Sequence, residues 1–149
     1  MLLKKTRYSL NTLIFLAKKY NKGPVRIREI SESENIPKKF LESILIELKN
    51  AGFVSSKKGK GGGYYLIKKP KDINLADVIR QFDGAIALTP CVSFNYYEKC
   101  EYKKNEKNCG LRNIFEEAHD ETVKILKKNS LADVIKRENL LKEKNLKKT

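Results

Sequence analysis

The sequence predicts a mainly α-helical fold with one small β-hairpin, and two neighbouring features indicate it. Residues 28–51 have the pattern of two short helices joined by a turn. Residues 55–66 then read Ser-Ser-Lys-Lys-Gly-Lys-Gly-Gly-Gly-Tyr-Tyr-Leu, a lysine-rich glycine turn between two β-prone runs. Together they predict a winged helix-turn-helix. A third feature, an apolar stripe along residues 111–128, predicts a long dimerisation helix after it.

The first predicted helix begins after Thr6, and the pair Gly23 and Pro24 stops it. Its apolar residues recur at helical spacing and are expected to form core: Leu10, Leu13, Ile14 and Ala17. A short extended piece at residues 25–27 follows.

The next two helices form the predicted helix-turn-helix. In the earlier one, residues 28–34, Ile30 is expected to face the core. Asn35 follows in the turn, where the backbone must be left-handed and Asn tolerates that conformation. Pro37 then begins the later helix with its fixed φ. That helix runs to about residue 51, with a predicted buried side of Phe40, Leu41, Ile44, Leu45 and Leu48. This arrangement turns Lys38, Lys39, Glu42 and Ser43 outward, where they would meet base edges in a major groove. The alternative is an ordinary solvated helix face.

The hairpin, or wing, carries a concentration of glycine and lysine. Val54 lies on the strand that enters it, and residues 64–67 form the strand that leaves. Three lysines are expected at the tip, namely Lys57, Lys58 and Lys60. Four glycines exceed what a tight turn needs, so Gly59, Gly61, Gly62 and Gly63 suggest close approach of the backbone to phosphates. The alternative is a flexible surface hairpin.

The second half of the chain begins with a helix from Leu75 to about Phe82, which Asn74 caps and Gly84 ends. In residues 89–108 the apolar residues follow neither a helical nor a strand periodicity, which predicts one long loop. The long helix after it carries a narrow, mostly apolar stripe, which is expected to pack against a partner helix in a dimer. The stripe consists of Leu111, Ile114, Phe115, Ala118, Thr122, Ile125 and Leu126.

The pentapeptide Leu-Ala-Asp-Val-Ile occurs twice, behind Asn74 and behind Ser130. We interpret both copies as capped helix starts and not as a duplication. The residues after Ile135 are expected to form a fraying helix or a disordered basic tail.

Charge is unevenly distributed along the chain. The net charge is +14, and residues 1–70 hold 16 Lys and Arg against 5 Asp and Glu. Such a field attracts polyanions, and nucleic acid is favoured over a membrane because no basic helix with a broad apolar face accompanies it. The amino terminus has no secretory pattern, and no stretch of the sequence reaches membrane-spanning length. Because three cysteines are an odd number and no export signal accompanies them, we expect a reduced, cytoplasmic protein.

Cys91, Cys100 and Cys109 lie in or beside the long loop, with eight residues between neighbours. The spacing fits no zinc knuckle or ribbon, but the loop could fold its thiolates around one centre. Cys109 also lies at the amino end of the long helix, whose dipole favours a thiolate. The cysteines are therefore candidate metal ligands or reactive thiols, and the alternative is three unrelated small hydrophobic residues.

No catalytic residues are predicted. His119 is the one histidine of the sequence and lies ten residues beyond Cys109, roughly 15 Å away along a helix. The sequence has no phosphate-binding loop of the GxxxxGK[ST] form and no recognisable pair of carboxylates.

These features resemble the Rrf2 family of bacterial transcription regulators, which includes an iron-sulfur cluster regulator, a nitric oxide sensing repressor and a cysteine metabolism repressor. The matching segments include residues 5–8 (Lys-Thr-Arg-Tyr), 40–42 (Phe-Leu-Glu), 54–56 (Val-Ser-Ser) and 61–64 (Gly-Gly-Gly-Tyr). The resemblance covers nearly the whole chain short of the tail, and residues 54–66 are its most specific part.

The resemblance implies a homodimer whose long helices cross, with two winged helices in successive major grooves of double-stranded DNA. It implies that Lys39 and Glu42 read bases and that Lys58 enters the minor groove. Cluster-binding members use three cysteines of this loop and a fourth ligand, a histidine in one branch and an acidic residue of the partner's first helix in another. The matching positions here hold Arg112 and Arg7, which leaves Glu106, solvent or a small thiol as the fourth ligand.

The sequence therefore predicts a dimeric, winged-helix, DNA-binding transcription regulator. Residues 1–70 form its DNA-binding domain, residues 71–128 the cysteine loop and dimerisation helix, and residues 129–149 a C-terminal helix or basic tail. The loop is expected to sense iron-sulfur status, oxidant or nitric oxide, with an iron-sulfur cluster as the possible cofactor. One alternative is a regulator with a metal-free thiol switch or a ligand response, and another is a basic RNA-binding accessory protein.

Overall fold

The computed structural model describes residues 1–102 and 104–149, and this part of the chain forms six α-helices and one two-stranded antiparallel sheet. The helices are α1 (Lys4–Lys18), α2 (Ile27–Glu34), α3 (Lys38–Asn50), α4 (Leu75–Asp83), α5 (Gly110–Lys128) and α6 (Leu131–Leu146). The strands are β1 (Val54–Lys57) and β2 (Gly63–Leu66), and single 3-10 turns occur at Pro70–Asp72, Pro90–Val92 and Glu106–Asn108. The predicted fold class, mainly α with a small hairpin, is confirmed. None of the described helices is long and apolar enough to cross a membrane.

One hydrophobic core joins α1, α2, α3, the wing and the start of α6. Its fully buried members include Leu13, Ile30, Leu41, Ile44 and Leu131. Asn35 has φ of 52°, so the predicted left-handed residue between α2 and α3 is confirmed. The prediction that Phe40 is buried is wrong: 37% of its surface is exposed. Phe40 lies at the border of the outer face of α3, and its ring packs edge-on against Tyr8 with centroids 5.5 Å apart.

The start of α1 differs from the prediction, because the helix begins at Lys4 and Thr6 lies inside it. Thr6 is fully buried, and its hydroxyl donates to the carboxylate of Asp83 at the end of α4. The Leu3 N–H also lies 3.3 Å from an Asp83 oxygen. The start of α1 has no capping side chain of its own, and the Asp83 carboxylate holds its first turn from the end of α4 through these two groups.

The wing is a regular hairpin in which Val54 pairs with Leu66 and Lys57 with Gly63. Close backbone contacts explain why two positions of the hairpin hold glycine. A side-chain carbon on Gly62 would lie 2.2 Å from the Lys57 carbonyl oxygen, and one on Gly63 would lie 2.3 Å from the Val25 carbonyl oxygen. The hairpin itself therefore requires glycine at both positions, and the prediction that the number of glycines indicates phosphate contact loses its basis.

The C-terminal residues form a helix, which was one of the two predicted alternatives. The α6 helix starts in a capping box between Ser130 and Asp133 and continues to Leu146. It returns to α1, where Lys18 and Glu138 are 2.6 Å apart. Within the loop that precedes α5, residues 89–102 and 104–108 are irregular apart from two 3-10 turns, as predicted.

Candidate nucleic-acid interface and cysteine loop

The outer face of α3 carries the four residues that the sequence predicts to face outward. Lys38, Lys39, Glu42 and Ser43 are all exposed. Within the described chain, no side-chain hydrogen bond or ion pair occupies them. They therefore form a row of free polar groups over two turns of one helix, which is the form of a surface that reads a major groove.

The first half of α1 borders this face, which the sequence reasoning missed. Tyr8 contacts Phe40, and the Lys4 ammonium lies 5.5 Å from the centre of the Tyr8 ring. Arg7 is exposed one residue before Tyr8. The packing of α1 across α3 brings these groups together, and no local pattern in either helix encodes that crossing.

The wing presents its lysines as predicted. Lys57, Lys58, Lys60 and Gly61 are exposed, whereas Gly62 is buried within the hairpin. The Lys49 ammonium donates to the Ser56 hydroxyl at 2.7 Å and so joins the end of α3 to β1. The wing is therefore tied to the last turn of α3.

The three cysteines are free thiols in different environments. Cys91 is buried, with its sulfur 3.3 Å from the Thr89 hydroxyl, whereas Cys100 and Cys109 are half-buried. Cys109 is the N-cap of α5, and its sulfur accepts the Arg112 N–H at 3.4 Å. The predicted position of Cys109 at the amino end of the long helix is confirmed.

Glu106, the carboxylate suggested as a fourth ligand, organises the loop. Its oxygens accept the Tyr97 hydroxyl at 2.6 Å and the Cys100 N–H at 2.5 Å. The Tyr97 hydrogen bond, followed by that of Cys100, lowers the pKa of Glu106 below its usual value. The same bond raises the pKa of Tyr97.

Arg112 stands where the resemblance would require a histidine ligand. Its guanidinium donates to the Cys91 carbonyl at 3.2 Å and lies 3.7 Å from Glu116. Among the described residues, no group of three or more histidine, cysteine or acidic side chains is arranged to hold a metal ion. Because Glu106 is already engaged and Arg112 cannot act as a ligand, the loop in this arrangement does not fit an iron-sulfur cluster.

The α5 helix has two different apolar edges. Val123 is buried and Phe115 and Leu126 are half-buried, because this edge packs against α4 and the turn at Pro90–Val92. On the other edge, Leu111, Ile114 and Ile125 are 58–61% exposed. The stripe therefore has a partner within the chain along one edge, which the sequence did not reveal, and an open edge along the other.

An open groove of about 660 Å³ adjoins the exposed edge of α5. It lies between residues 1–3, the end of α4 with the segment after it, and Ala118, Thr122 and Leu126 of α5. Most of its lining is apolar. His119 also lines it, and the His119 ring nitrogen lies 3.0 Å from the Asp120 carboxylate.

Comparison with known proteins gives consistent matches along the chain. Residues 2–137 match the family described as "Rrf2: Iron-dependent Transcriptional regulator". The sequence is 34% identical over 138 residues to a putative helix-turn-helix-type regulator, rrf2-like, of Rhodobacter capsulatus, covering 91% of this chain and 92% of that protein. It is 34% identical over 137 residues to the helix-turn-helix-type transcriptional regulator NsrR of Bacillus licheniformis, covering 87% and 88%. These relatives are transcriptional regulators and not enzymes.

A solved structure gives the same result at the level of the fold. The structure of CymR, the global cysteine regulator of Bacillus subtilis, superposes with a TM-score of 0.74 at 30% identity. The match covers 90% of this chain and 95% of that one.

Proposed function

Because the chain belongs to the Rrf2 family of transcriptional regulators, we propose that it binds a palindromic DNA operator as a homodimer. The observation that supports this most directly is the row of free polar side chains on α3 beside three exposed lysines of the wing. The first group can hydrogen-bond base edges, and the second can neutralise phosphates.

In this proposal the parts of the surface have different roles. Lys39 donates to acceptors on base edges, and Glu42 accepts from an exocyclic amine, so both contribute base preference. Lys58 enters the minor groove from the wing, where it adds affinity that depends little on sequence. Lys38, Ser43, Lys57, Lys60 and Gly61 complete the face, whereas Gly62 supports the turn from inside.

The open edge of α5 is the proposed dimer seam. Leu111, Ile114 and Ile125 expose apolar surface along one edge of the helix, and its burial between two such helices would stabilise their pairing. The groove of about 660 Å³ continues this surface beyond α5. A two-fold dimer would place two α3 helices one turn of DNA apart, which is why we expect the operator to be palindromic.

We further propose that the cysteine loop senses oxidant through its thiols. Cys100 and Cys109 are accessible, and Cys109 caps the helix that carries the dimer seam. Modification of that sulfur would disturb the start of α5. The iron in the description of the family favours a second candidate, a metal response. That response would require the loop to rearrange from the arrangement described above.

The deciding experiment is selection of bound duplexes from a random DNA library by protein purified without oxygen. We expect a palindromic consensus with half-sites about 10 base pairs apart. Duplexes without any consensus, or equal affinity for RNA of the same length, would contradict the proposal and favour a basic RNA-binding protein. Visible absorbance of the same preparation distinguishes a cluster from free thiols.

A further inference from the structure

The end of α4 contacts the first turn of α1 through one carboxylate. Asp83 is the last residue of α4, and its oxygens accept the hydroxyl of Thr6 and lie 3.3 Å from the Leu3 N–H. A carboxylate is unfavourable at the C-terminal end of its own helix and favourable at the N-terminal end of another. The first turn of α1 contains no acidic residue of its own, so Asp83 stabilises that turn from outside.

Burial makes the bond between Thr6 and Asp83 costly to break. Thr6 is fully buried, so its hydroxyl would lose its partner in the interior if the carboxylate moved away. A buried hydroxyl without a partner is unfavourable, because it has also lost its hydrogen bonds to water. A displacement of Asp83 is therefore expected to carry the first turn of α1 with it.

The turn after Asp83 contacts the cysteine loop on its other side. A side-chain carbon on Gly84, the next residue, would lie 3.6 Å from the ring of Tyr96, so this ring packs on the turn. The Tyr96 N–H donates to the hydroxyl of Ser93 at 3.1 Å, and Ser93 is buried two residues after Cys91. A rearrangement around Cys91 would therefore move the ring that packs beside Asp83.

The first two turns of α1 also contact α3. The ammonium of Lys5 pairs with Glu47 of α3 and lies 6.0 Å from the centre of the Phe82 ring of α4. Tyr8 packs on Phe40, which borders the outer face of α3. Both α1 residues lie within one turn of the buried hydroxyl, so a shift of that turn would change both contacts with α3.

We propose that Asp83 is a positioning residue for operator binding, which holds α1 beside α3 and transmits changes of the cysteine loop to the outer face of α3. The inference rests on the proposed function, because it assumes that α3 reads the operator. Asp83 itself needs no contact with DNA. Its effect passes through a continuous series of contacts, from Tyr96 to the turn at Gly84, from Asp83 to Thr6, and from α1 to α3.

The test is a double-mutant cycle on affinity for the selected operator. Tyr96→Ala removes the loop contact, and Thr6→Val removes the hydroxyl and keeps the shape of the side chain. Tyr96→Ala alone is expected to weaken operator binding about fivefold, the lower end of measured couplings between sites. In the Thr6→Val background, which is itself weakened, Tyr96→Ala should have little further effect. The salt slope should not change, because no phosphate contact is lost.

Matched variants separate positioning from a folding defect. Thr6→Ser keeps the hydroxyl, so in that background Tyr96→Ala should again weaken binding about fivefold. Asp83→Asn keeps an acceptor oxygen and should bind the operator like wild type, whereas Asp83→Ala should behave like Thr6→Val. Asp72→Ala removes an exposed carboxylate before α4 and should leave operator affinity unchanged.

Nuclear magnetic resonance of the Phe40 ring provides a second readout without DNA. Tyr96→Ala should shift the ring signals in the wild-type background and leave them unchanged in Thr6→Val. Equal effects of Tyr96→Ala in both backgrounds, or no effect in wild type, would overturn the inference and leave the proposed function intact. Absence of a palindromic consensus would instead refute the proposed function, and the ring signals would still decide whether the loop is coupled to α3 through Asp83.

Discussion

Asn74 and Ser130 face each other across an antiparallel β-bridge, and each of them caps a helix. Two further backbone bonds join the segments, from Leu75 N–H to Asn129 at 3.1 Å and from Leu131 N–H to Ile73 at 2.9 Å. The starts of α4 and α6 are therefore locked together. The chain between them contains the cysteine loop and α5, so this part of the chain is tied at both ends to helices that pack on α1.

This pairing predicts that the two caps are energetically coupled. Ser130→Ala and Asn74→Ala should each lower the free energy of unfolding by about 1 kcal/mol, because each leaves a helix N–H without its partner. The double variant should depart from the sum of the two, since their segments share the bridge. Urea denaturation measures all three values, with Ser33→Ala on the surface of α2 as the control. Strict additivity would mean that the bridge carries no coupling.

Base reading by α3 is tested with Glu42→Ala and Lys39→Ala. Each should cost about 1–3 kcal/mol of discrimination at its base pair and leave non-specific binding nearly unchanged. Lys58→Ala should instead weaken binding to all duplexes and lower the salt slope by about one unit for a single phosphate. Competition binding over a salt series separates these results, and Lys142→Ala serves as a control for charge alone. An unchanged base preference in both α3 variants would contradict the assigned roles.

The dimer seam is tested by Ile114→Asp, because this side chain is 61% exposed in the single chain. The change should leave the fold of the monomer intact and place a carboxylate in the seam, at a cost of several kcal/mol to association. Sedimentation should show monomer, and operator affinity should fall with it. Asn113→Asp adds the same charge on the opposite side of α5 and should remain dimeric. A wild-type chain that sediments as a monomer at micromolar concentration would refute the seam itself.

The sequence predicted the elements well because their determinants are local. Helix periodicity, the Asn74 cap, the left-handed Asn35 and the alternation of the wing strands each depend on residues within one segment. The errors came from contacts between segments. Asp83 holds the first turn of α1 from the end of α4, and the crossing of α1 over α3 determines how far Phe40 is exposed. Both depend on packing that no single segment encodes.

The candidate site likewise combines features that could be predicted from the sequence with features that could not. The outward residues of α3 follow from helix geometry, and their exposure could be predicted. The arrangement of the cysteine loop could not, because an aperiodic segment is ordered by particular contacts such as those of Glu106 with Tyr97 and Cys100.

The Glu106 contacts predict a pH dependence of the loop. The pKa of Glu106 is lower in the folded chain than in the unfolded chain, so the ionised carboxylate stabilises the loop at pH values above the unfolded pKa. This stabilisation is lost as the pH falls through the folded pKa. Order in the loop should therefore be constant near neutral pH and decline below about pH 4. Nuclear magnetic resonance of the tyrosine rings follows this directly. Glu106→Gln should abolish the acid transition and bring the raised pKa of Tyr97 back toward its usual value. A Tyr97 titration that is identical in wild type and variant would contradict the interaction.

Oxidation of the loop is tested with a pair of variants at Cys109. Diamide removes two hydrogen atoms from a pair of thiols and leaves a disulfide, and it should reach the half-buried Cys100 and Cys109 before the buried Cys91. We expect oxidation to change operator affinity, because Cys109 leaves its position as the cap of α5. Cys109→Ser retains a capping oxygen, so it should bind the operator normally and lose the response to diamide. Cys109→Ala should lose the response and also about 1 kcal/mol of stability. Cys91→Ser should keep most of the response. If diamide changes the affinity of Cys109→Ser as much as that of wild type, Cys109 is not the responding thiol.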